Sequence, residues 1–412
     1  MKVVINGAGI GGLTAALILN ARGIDCELHE ASSQIRELGV GINVLPHAIR
    51  ELAEIGLLPE LDKIGIRTRE LIYANRQGQE IWRELRGMDQ GHAYPQFSIH
   101  RGRLHAMLAA AVRERLGEEA IKLGSRGVGF EQTSSSARLL IAGGGVAEGD
   151  VLLGADGVHS ALRAQMFPDE AGLRWNGIMM WRGATEAEPF ADGRTMLVAG
   201  GFTYKLVLYP IGPATTPDKV LMNWVVTYRA GAPGDPAPQR EDWNRKGTLA
   251  ELAPHIDAFN VDIIDLMGLV RATPEFLEYP MCDRDPLPRW SDGRVTLLGD
   301  AAHPMYPVGS NGASQAILDA RALADALAGG ANPVDALAAY DASRRPATAQ
   351  VVALNREGGP EGVIDEVERR APEGFKTLND VISFSERQAI VGGYASTAGF
   401  AADSTQKRAV TG

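Results

Sequence analysis

From its second residue the chain alternates short, fully apolar runs with stretches in which apolar residues recur every three or four positions. VVIN at 3–6 predicts a buried strand. Ile10, Leu13, Leu17 and the alanines between them line one side of a helix that Gly23 is placed to end. CELHE at 26–30 predicts the next strand, completing a β-α-β unit. Amphipathic helices are predicted over 45–56, stopped near Gly56, and over 102–117. Residues 137–156 switch to strands, with Gly143–Gly145 as a hairpin turn rather than a ligand loop. Between 175 and 228 the texture changes to long strands of period two. There Tyr204, Leu206 and Leu208 share one face, as do Met222, Trp224 and Val226. The pattern is that of an antiparallel sheet inserted between two halves of something else. The Pro/Gly/Asp-rich segment 231–240 reads as an excursion or linker. VTLLGD at 295–300 returns to the buried apolar type, and helices follow over 312–328 and 333–357, with further helix beyond and a frayed end over the last ten or so residues.

Composition narrows the classes. The chain has 412 residues, enough for two domains or one composite domain, with 45% apolar and 22% charged residues, ordinary for a protein with a sizeable core. Its net charge of −10 and the lack of any Lys/Arg-rich run argue against a nucleic-acid partner. An anionic small ligand is not excluded, because local charge decides that. Cys26 and Cys282, the two cysteines, lack metal-type spacing and read as buried free thiols of a reducing, cytoplasmic compartment; no metal site is expected. A first strand starting at Lys2 leaves no room for a secretory signal, and no apolar run reaches the ~18 residues of a membrane span, so a soluble protein is expected.

Candidate chemistry begins at Gly7-Ala-Gly9-Ile-Gly-Gly12, a G-x-G-x-x-G between strand and helix, with Glu30 at the end of the second strand. Gly7 permits the tight turn, Gly9 lets a pyrophosphate approach the backbone, Gly12 lets helix and strand pack closely, and Glu30 accepts hydrogen bonds from a ribose. Free N–H groups at the helix start suit phosphate. The motif does not separate NAD from FAD. Two later motifs do. The strand VLLGAD ends at Asp156-Gly157 with Ser160 and Arg163 on the next turn; VTLLGD ends at Gly299-Asp300, followed by His303-Pro304 and Gly309-Ser310-Asn311-Gly312. A second Gly-Asp strand end so distant suits FAD, whose ribityl chain and isoalloxazine extend beyond the ADP half.

The ordered set GAGIGG, ADGVHSALR and LLGDAAHPMYPVGSNGASQAILDA resembles the single-component (class A) FAD-dependent aromatic hydroxylases typified by p-hydroxybenzoate hydroxylase, over nearly the whole chain. LGVGIN, AYPQFSIHRG, MMWRG and YPMCDRDPLP resemble the phenazine-hydroxylating branch, in which 5-methylphenazine-1-carboxylate is oxidatively decarboxylated to pyocyanin. The resemblance implies an α/β (α+β composite) fold. A Rossmann-like FAD-binding domain occupies 1–172 and 281–355, an inserted antiparallel substrate sheet mainly 173–280, and a C-terminal helical region and tail 356–412. It implies Gly7, Gly9, Gly12, Glu30 and Arg36 at the ADP part of FAD. Arg101 reaches toward the pyrophosphate and ribityl region, Asp300 falls at the ribityl chain, and Gly309, Asn311 and Gly312 fall at the flavin edge, with Pro307 in the flavin-edge loop. Asp156 is linked to FAD and nicotinamide handling, or is a strand-to-helix cap. NADH or NADPH docks transiently and O2 is the second co-substrate; a flavin C4a-hydroperoxide then hydroxylates an electron-rich aromatic substrate, phenazine-like as a first expectation, with or without decarboxylation. Monomer or homodimer both remain open.

The substrate pocket is expected between flavin and inserted sheet, lined by Met179, Trp181, Tyr204, Leu206, Trp224 and Tyr306, each of which could equally be sheet core. His47 is either a base for a phenolic substrate, since its ordinary pKa lies near working pH, or a helix-start residue without chemistry. Arg182 either pairs with a substrate carboxylate or points away. His303 is either part of the site or a loop histidine satisfied by backbone. Competing functions are a same-scaffold epoxidase, N-hydroxylase or dehydrogenase, which oxygen-18 incorporation would sort, a non-catalytic flavin-binding redox protein, and a colourless NAD-dependent dehydrogenase.

Overall fold

The computed structural model describes residues 1–35, 37, 39–238, 245–330 and 332–397. The expected frayed end over the last ten or so residues lies outside them, as do positions 239 and 240 of the expected excursion. The β-α-β start is strand Lys2–Asn6, helix Ile10–Ala21 and strand Asp25–His29. These strands sit in a six-stranded sheet ordered Ser291–Asp292, Val295–Leu297, Val151–Gly154, Lys2–Asn6, Asp25–His29, Ile121–Lys122. Every neighbouring pair is parallel except the short one at the Ser291 edge. Runs such as Val3, Val4 and Ile5, and Leu152 and Leu153, are fully buried on both faces, which is why they are apolar without alternation. The two glycine-led segments, far apart in sequence, thus lie two strands apart in one sheet.

Their helices pack together because Gly11 has no side chain. A Cβ there would lie 2.6 Å from Leu298 Cδ2 and 3.4 Å from Ala316 Cβ. Ala316 belongs to helix Gly312–Ala328, so the close contact brings the starts of both helices to one side of the sheet. Helix Pro333–Arg356 follows, with Pro346 in its interior. The predicted hairpin turn is present, joining Ala137–Ile141 to Gly145–Gly149 through Gly143 and Gly144, both at positive φ.

The second sheet has seven strands, ordered Leu277–Asp283, Arg174–Ala187, Val220–Arg229, Tyr204–Pro213, Thr195–Ala199, Glu70–Ala74, Glu80–Leu85. The last two were not anticipated and come from the first part of the chain. Thr195–Ala199 pairs parallel with Glu70–Ala74, so the sheet is mixed rather than purely antiparallel. A small antiparallel sheet, Gly41–Val44, Gln96–His100 and Gly65–Thr68, lies between the two large ones.

The two faces of the seven-stranded sheet have different covers. One carries Met179, Trp181, Leu206, Leu208, Trp224 and Val226, buried against Leu252 and Ile256 of helix Leu249–Ile256 and Leu266, Leu269 and Val270 of the segment 266–271. The other carries Ile178, Met180, Val225, Tyr279 and Met281 and packs on Tyr306 and Val308. Farther along that face Leu71, Tyr73, Met196 and Val198 meet Val363, Ile364 and Val367 of helix Gly362–Arg370. Among the described residues no helix is long and apolar enough to cross a membrane.

Candidate functional site

The first glycine turn is fixed from within. Gly7 sits at φ +108, where a Cβ would lie 2.3 Å from Ala155 O; a Cβ on Gly12 would lie 2.1 Å from Gly7 O. Both positions exclude any side chain because backbone already occupies the space. Gly9 differs: a Cβ there would meet nothing within 4 Å. The protein leaves that side of the turn open at the N-terminus of helix Ile10–Ala21, where free N–H groups and the helix dipole favour an anion. Glu30 Oε2 accepts from Ala8 N at 2.9 Å and Oε1 from Ser32 N at 2.8 Å. Its carboxylate therefore braces the turn and keeps further lone pairs for a hydroxyl. Arg36 lies outside the described residues.

The second segment reaches the same side. Gly299 (φ +60) starts the turn that presents Asp300. Asp300 is exposed to the cleft and makes no hydrogen bond among the described residues. Protein crowds it elsewhere, and that burial pushes its carboxyl up against the pull of His303 and Arg101. Arg101 opens helix Arg101–Leu116, is exposed, and lies near enough to Asp300 to favour its ionised form. Gly309 (φ +63) and Ser310 (φ +59) both take left-handed backbone, a strained conformation for serine. Ser310 Oγ accepts from Asn43 Nδ2 at 3.4 Å, and Ser314 Oγ from Leu45 N at 3.0 Å, tying the turn to the segment 41–45. Asn311 is fully buried at the N-cap of helix Gly312–Ala328. Gly312, like Gly9, has nothing within 4 Å of a would-be Cβ, and Pro307 is exposed in the same loop. Two open helix starts with a carboxylate and a guanidinium between them fit an elongated dinucleotide with a polyol linker, which is the shape of FAD.

Beneath the second turn lies an ionic network absent from the sequence reading. His303 Nε2 is 2.5 Å from Asp319 Oδ2, Arg344 Nε donates to Asp319 Oδ1 at 2.7 Å, and Gly299 N donates to Asp319 Oδ2 at 3.2 Å. Burial alone would raise the Asp319 carboxyl; His303 and Arg344 outweigh it and hold it below the usual range. His303 is thus a buried partner of Asp319, and the backbone-satisfied loop histidine of the sequence reading is corrected. Asp156 caps the turn into the next helix. Its Oδ2 accepts from Asn6 Nδ2 at 2.9 Å and Ala161 N at 2.8 Å, and burial pushes its carboxyl up. Arg163 donates to the carbonyls of Ala301 and Ala302 at 3.0 and 2.9 Å, locking the Asp300 turn from behind.

Four expected pocket residues are on the other side of the sheet. Met179, Trp181, Leu206 and Trp224 point into the helix-covered face, away from the cleft; Trp224 Nε1 donates to Thr273 Oγ1 at 2.9 Å. Tyr204 joins them at the same face, stacked on Tyr228 and tilted against His255. Period two sorted the residues into faces correctly, but aromatic content selected the packed face. The face toward the cleft carries polar groups in an apolar setting. Arg182 Nη2 donates to Gly41 O at 2.5 Å and Nη1 to Tyr279 OH at 3.2 Å; Asn223 Oδ1 accepts from Gly41 N at 2.8 Å. Tyr209 lies beside Arg182, and burial pushes its phenol up to about 12. No carboxylate pairs with Arg182 among the described residues. Tyr306 packs on this side, in the cluster of Ile178 and Met180. A buried sheet face bearing Arg, Asn and Tyr is the signal that would have found it.

His47 is 4% exposed in helix Pro46–Glu54. Burial, then Arg344, Arg50 and His92, lower its pKa to about 3. That corrects the expectation of a titration near working pH.

Comparison with known proteins agrees with this geometry. The family profile described as FAD binding domain matches residues 1–355. A phenazine 1,6-dicarboxylic acid hydroxylase from Lysobacter antibioticus is 45% identical over 364 residues, 86% of this chain and 89% of that protein. A 3-hydroxybenzoate 6-hydroxylase from Aquipseudomonas alcaligenes is 29% identical over 368 residues, 86% of this chain and 88% of its own. Among solved structures, Klebsiella pneumoniae HpxO complexed with FAD and uric acid superposes with TM-score 0.77 at 24% identity, covering 97% of this chain and 96% of that one. A salicylate hydroxylase substrate complex does so with TM-score 0.73 at 21% identity, covering 97% and 98%.

Proposed function

As the chain belongs to the FAD binding domain family and is an FAD-dependent aromatic monooxygenase using NAD(P)H and O2, we propose that its substrate is a flat, carboxylate-bearing heteroaromatic, phenazine-like in size, held against the sheet face of Arg182, Tyr209 and Tyr279. The observation that carries the proposal is Arg182, a permanently charged guanidinium set among phenols and a carbonyl with no carboxylate partner among the described residues. A partly buried charge without a counter-ion is costly, and an incoming carboxylate removes that cost. Names such as phenazine 1,6-dicarboxylic acid hydroxylase and 3-hydroxybenzoate 6-hydroxylase among the relatives support an acid of this kind.

When bound, FAD accepts hydride from NAD(P)H and activates O2 for transfer to the ring. In this reading Gly7, Gly9, Gly12 and Glu30 hold its ADP part, Arg101 and Asp300 its ribityl region, and Gly309, Asn311 and Gly312 its flavin edge. The chain's own work is orientation and exclusion of water. Arg182 fixes the acid group, Tyr279 and Tyr209 border it, and Ile178, Met180 and Val225 give the ring an apolar bed. Decarboxylation as an accompaniment, the use of NADH or NADPH, and a reducing compartment suited to Cys26 and Cys282, which form no disulfide among the described residues, belong to the same proposal.

The test is stimulated NAD(P)H oxidation by the yellow holoenzyme across aromatic acids, with hydroxylated product containing oxygen-18 from labelled O2. Unlabelled product would favour a dehydrogenase on the same scaffold. Arg182→Gln is expected to weaken binding of the acid by about 10- to 100-fold, the range for a hydrogen bond to a charged group. The substrate's neutral amide should bind wild type and variant alike. Equal loss for acid and amide would remove Arg182 from carboxylate recognition.

A further inference from the structure

Phe202, we propose, is the specificity-determining wall of the aromatic pocket, and the C-terminal region holds it there through Gly358, Glu361 and Asp365. The inference rests on the pocket assigned above. Phe202 lies in the loop between strands Thr195–Ala199 and Tyr204–Pro213. Gly200, at φ +77 and with space for a Cβ closed by Tyr204 O at 2.3 Å, makes that turn tight. The half-buried Phe202 ring packs against the cluster of Ile178, Met180, Val225, Tyr306 and Val308. Two cations approach it: Lys205 Nζ at 5.0 Å and Arg229 Cζ at 5.8 Å from the ring centroid. A ring held this way has a defined face, since both cations are attracted to its π system.

The remaining support comes from residues far along the chain. Phe202 N donates to Asp365 Oδ1 at 2.7 Å, and a Cβ on Gly201 would lie 2.1 Å from that same oxygen. Gly358, at φ +102, leaves room for the ring; a Cβ there would lie 2.6 Å from Phe202 Cε2. Lys205 forms a buried pair with Glu361, the two residues 7% and 8% exposed. Helix Gly362–Arg370 and the turn before it therefore clamp one short loop at the backbone, at the ring and at the lysine above the ring. The strand register sets the Phe202 loop several residues along the sheet from Arg182, so a small acid anchored at Arg182 stops short of the ring, whereas a longer ring system runs into it. The ring thereby sets the length of aromatic system that fits.

The experiment measures dissociation constants of 3-hydroxybenzoate, a quinoline carboxylate and phenazine-1-carboxylate for the holoenzyme, from the change each causes in the visible spectrum of bound flavin. Wild type is compared with Phe202→Ala, Phe202→Tyr, Asp365→Ala and Glu361→Gln. Removing the wall should shift the three-ring to one-ring affinity ratio toward the larger acid by about tenfold, the scale of pocket-size discrimination. Asp365→Ala and Glu361→Gln should shift it the same way by less, Phe202→Tyr should keep the wild-type ratio, and FAD content should not change. An unchanged ratio in Phe202→Ala holoenzyme would overturn the inference alone. If no acid perturbs wild-type flavin, the functional reading fails and takes the inference with it.

Discussion

Gly9→Val is expected to yield a folded, colourless protein. The side chain enters space that no atom of the protein occupies within 4 Å, and Gly9 has φ −72 and ψ −178, a backbone conformation any residue adopts. The fold should lose no more than about 1 kcal/mol, the scale of an unfavourable N-cap residue. The added methyl groups stand where a pyrophosphate must approach the helix start, so FAD affinity should fall by at least about a thousandfold, equivalent to roughly 4 kcal/mol. Gly12→Ala is the contrast. Its Cβ would lie 2.1 Å from Gly7 O, so it should disturb the turn itself and lower the stability of the apoprotein. Two measurements separate the cases: flavin retained after gel filtration, and the melting temperature with and without added FAD. Added FAD should raise the wild-type melting temperature by mass action and leave that of Gly9→Val where it is. A Gly9→Val protein that purifies yellow with full FAD would remove Gly9 from the cofactor site.

The contrast among Gly7, Gly9 and Gly12 shows what was legible in the sequence. Strand, glycines and helix are local, and local geometry follows from residue type, so the turn and both Gly-Asp strand ends were readable. The buried strands of the first sheet were readable too, because strands buried on both faces are apolar throughout. What could not be read was which side of the second sheet is covered by helices and which packs on the loop of Tyr306 and Val308. Both faces are apolar, and alternation says only that residues 178, 180 and 182 oppose 179 and 181. The decision is made by covers that arrive from elsewhere in the chain: Leu252, Ile256 and Leu269 over Trp181 and Trp224, and Gly41 with Tyr306 over Arg182 and Met180. Strands 70–74 and 80–85 were missed for a related reason, since their partner is Thr195–Ala199, more than a hundred residues later. Asp319 was invisible because a single aspartate in an amphipathic helix looks like a solvated face until His303 and Arg344 close on it.

Stability should fall steeply with acid, and His47 should account for a measurable share. Its folded pKa of about 3 lies below the ordinary 6.5, because burial and the nearby Arg344, Arg50 and His92 all disfavour the imidazolium. The unfolded chain therefore binds a proton that the folded chain refuses, and stability rises with pH through that window. The contribution is complete above about pH 6.5 and is lost as pH falls toward 3; at roughly 1.4 kcal/mol per unit the full swing is on the order of 5 kcal/mol. His92 and His100 are lowered by burial as well and act with the same sign, so the wild-type slope is a sum. His47→Gln isolates one share. Between pH 6.5 and 5, before most carboxylates titrate, the variant should lose about 2 kcal/mol less than wild type in denaturant unfolding. A slope equal to wild type would show that His47 does not resist protonation in the fold. The same variant addresses chemistry. A histidine this reluctant to take a proton is a poor base for a phenol near neutrality. The pH profile of kcat/KM between 6 and 8 should therefore keep its wild-type form in His47→Gln. Loss of an inflection in that range would restore His47 as the base and would mean that bound cofactor and substrate raise its pKa by several units.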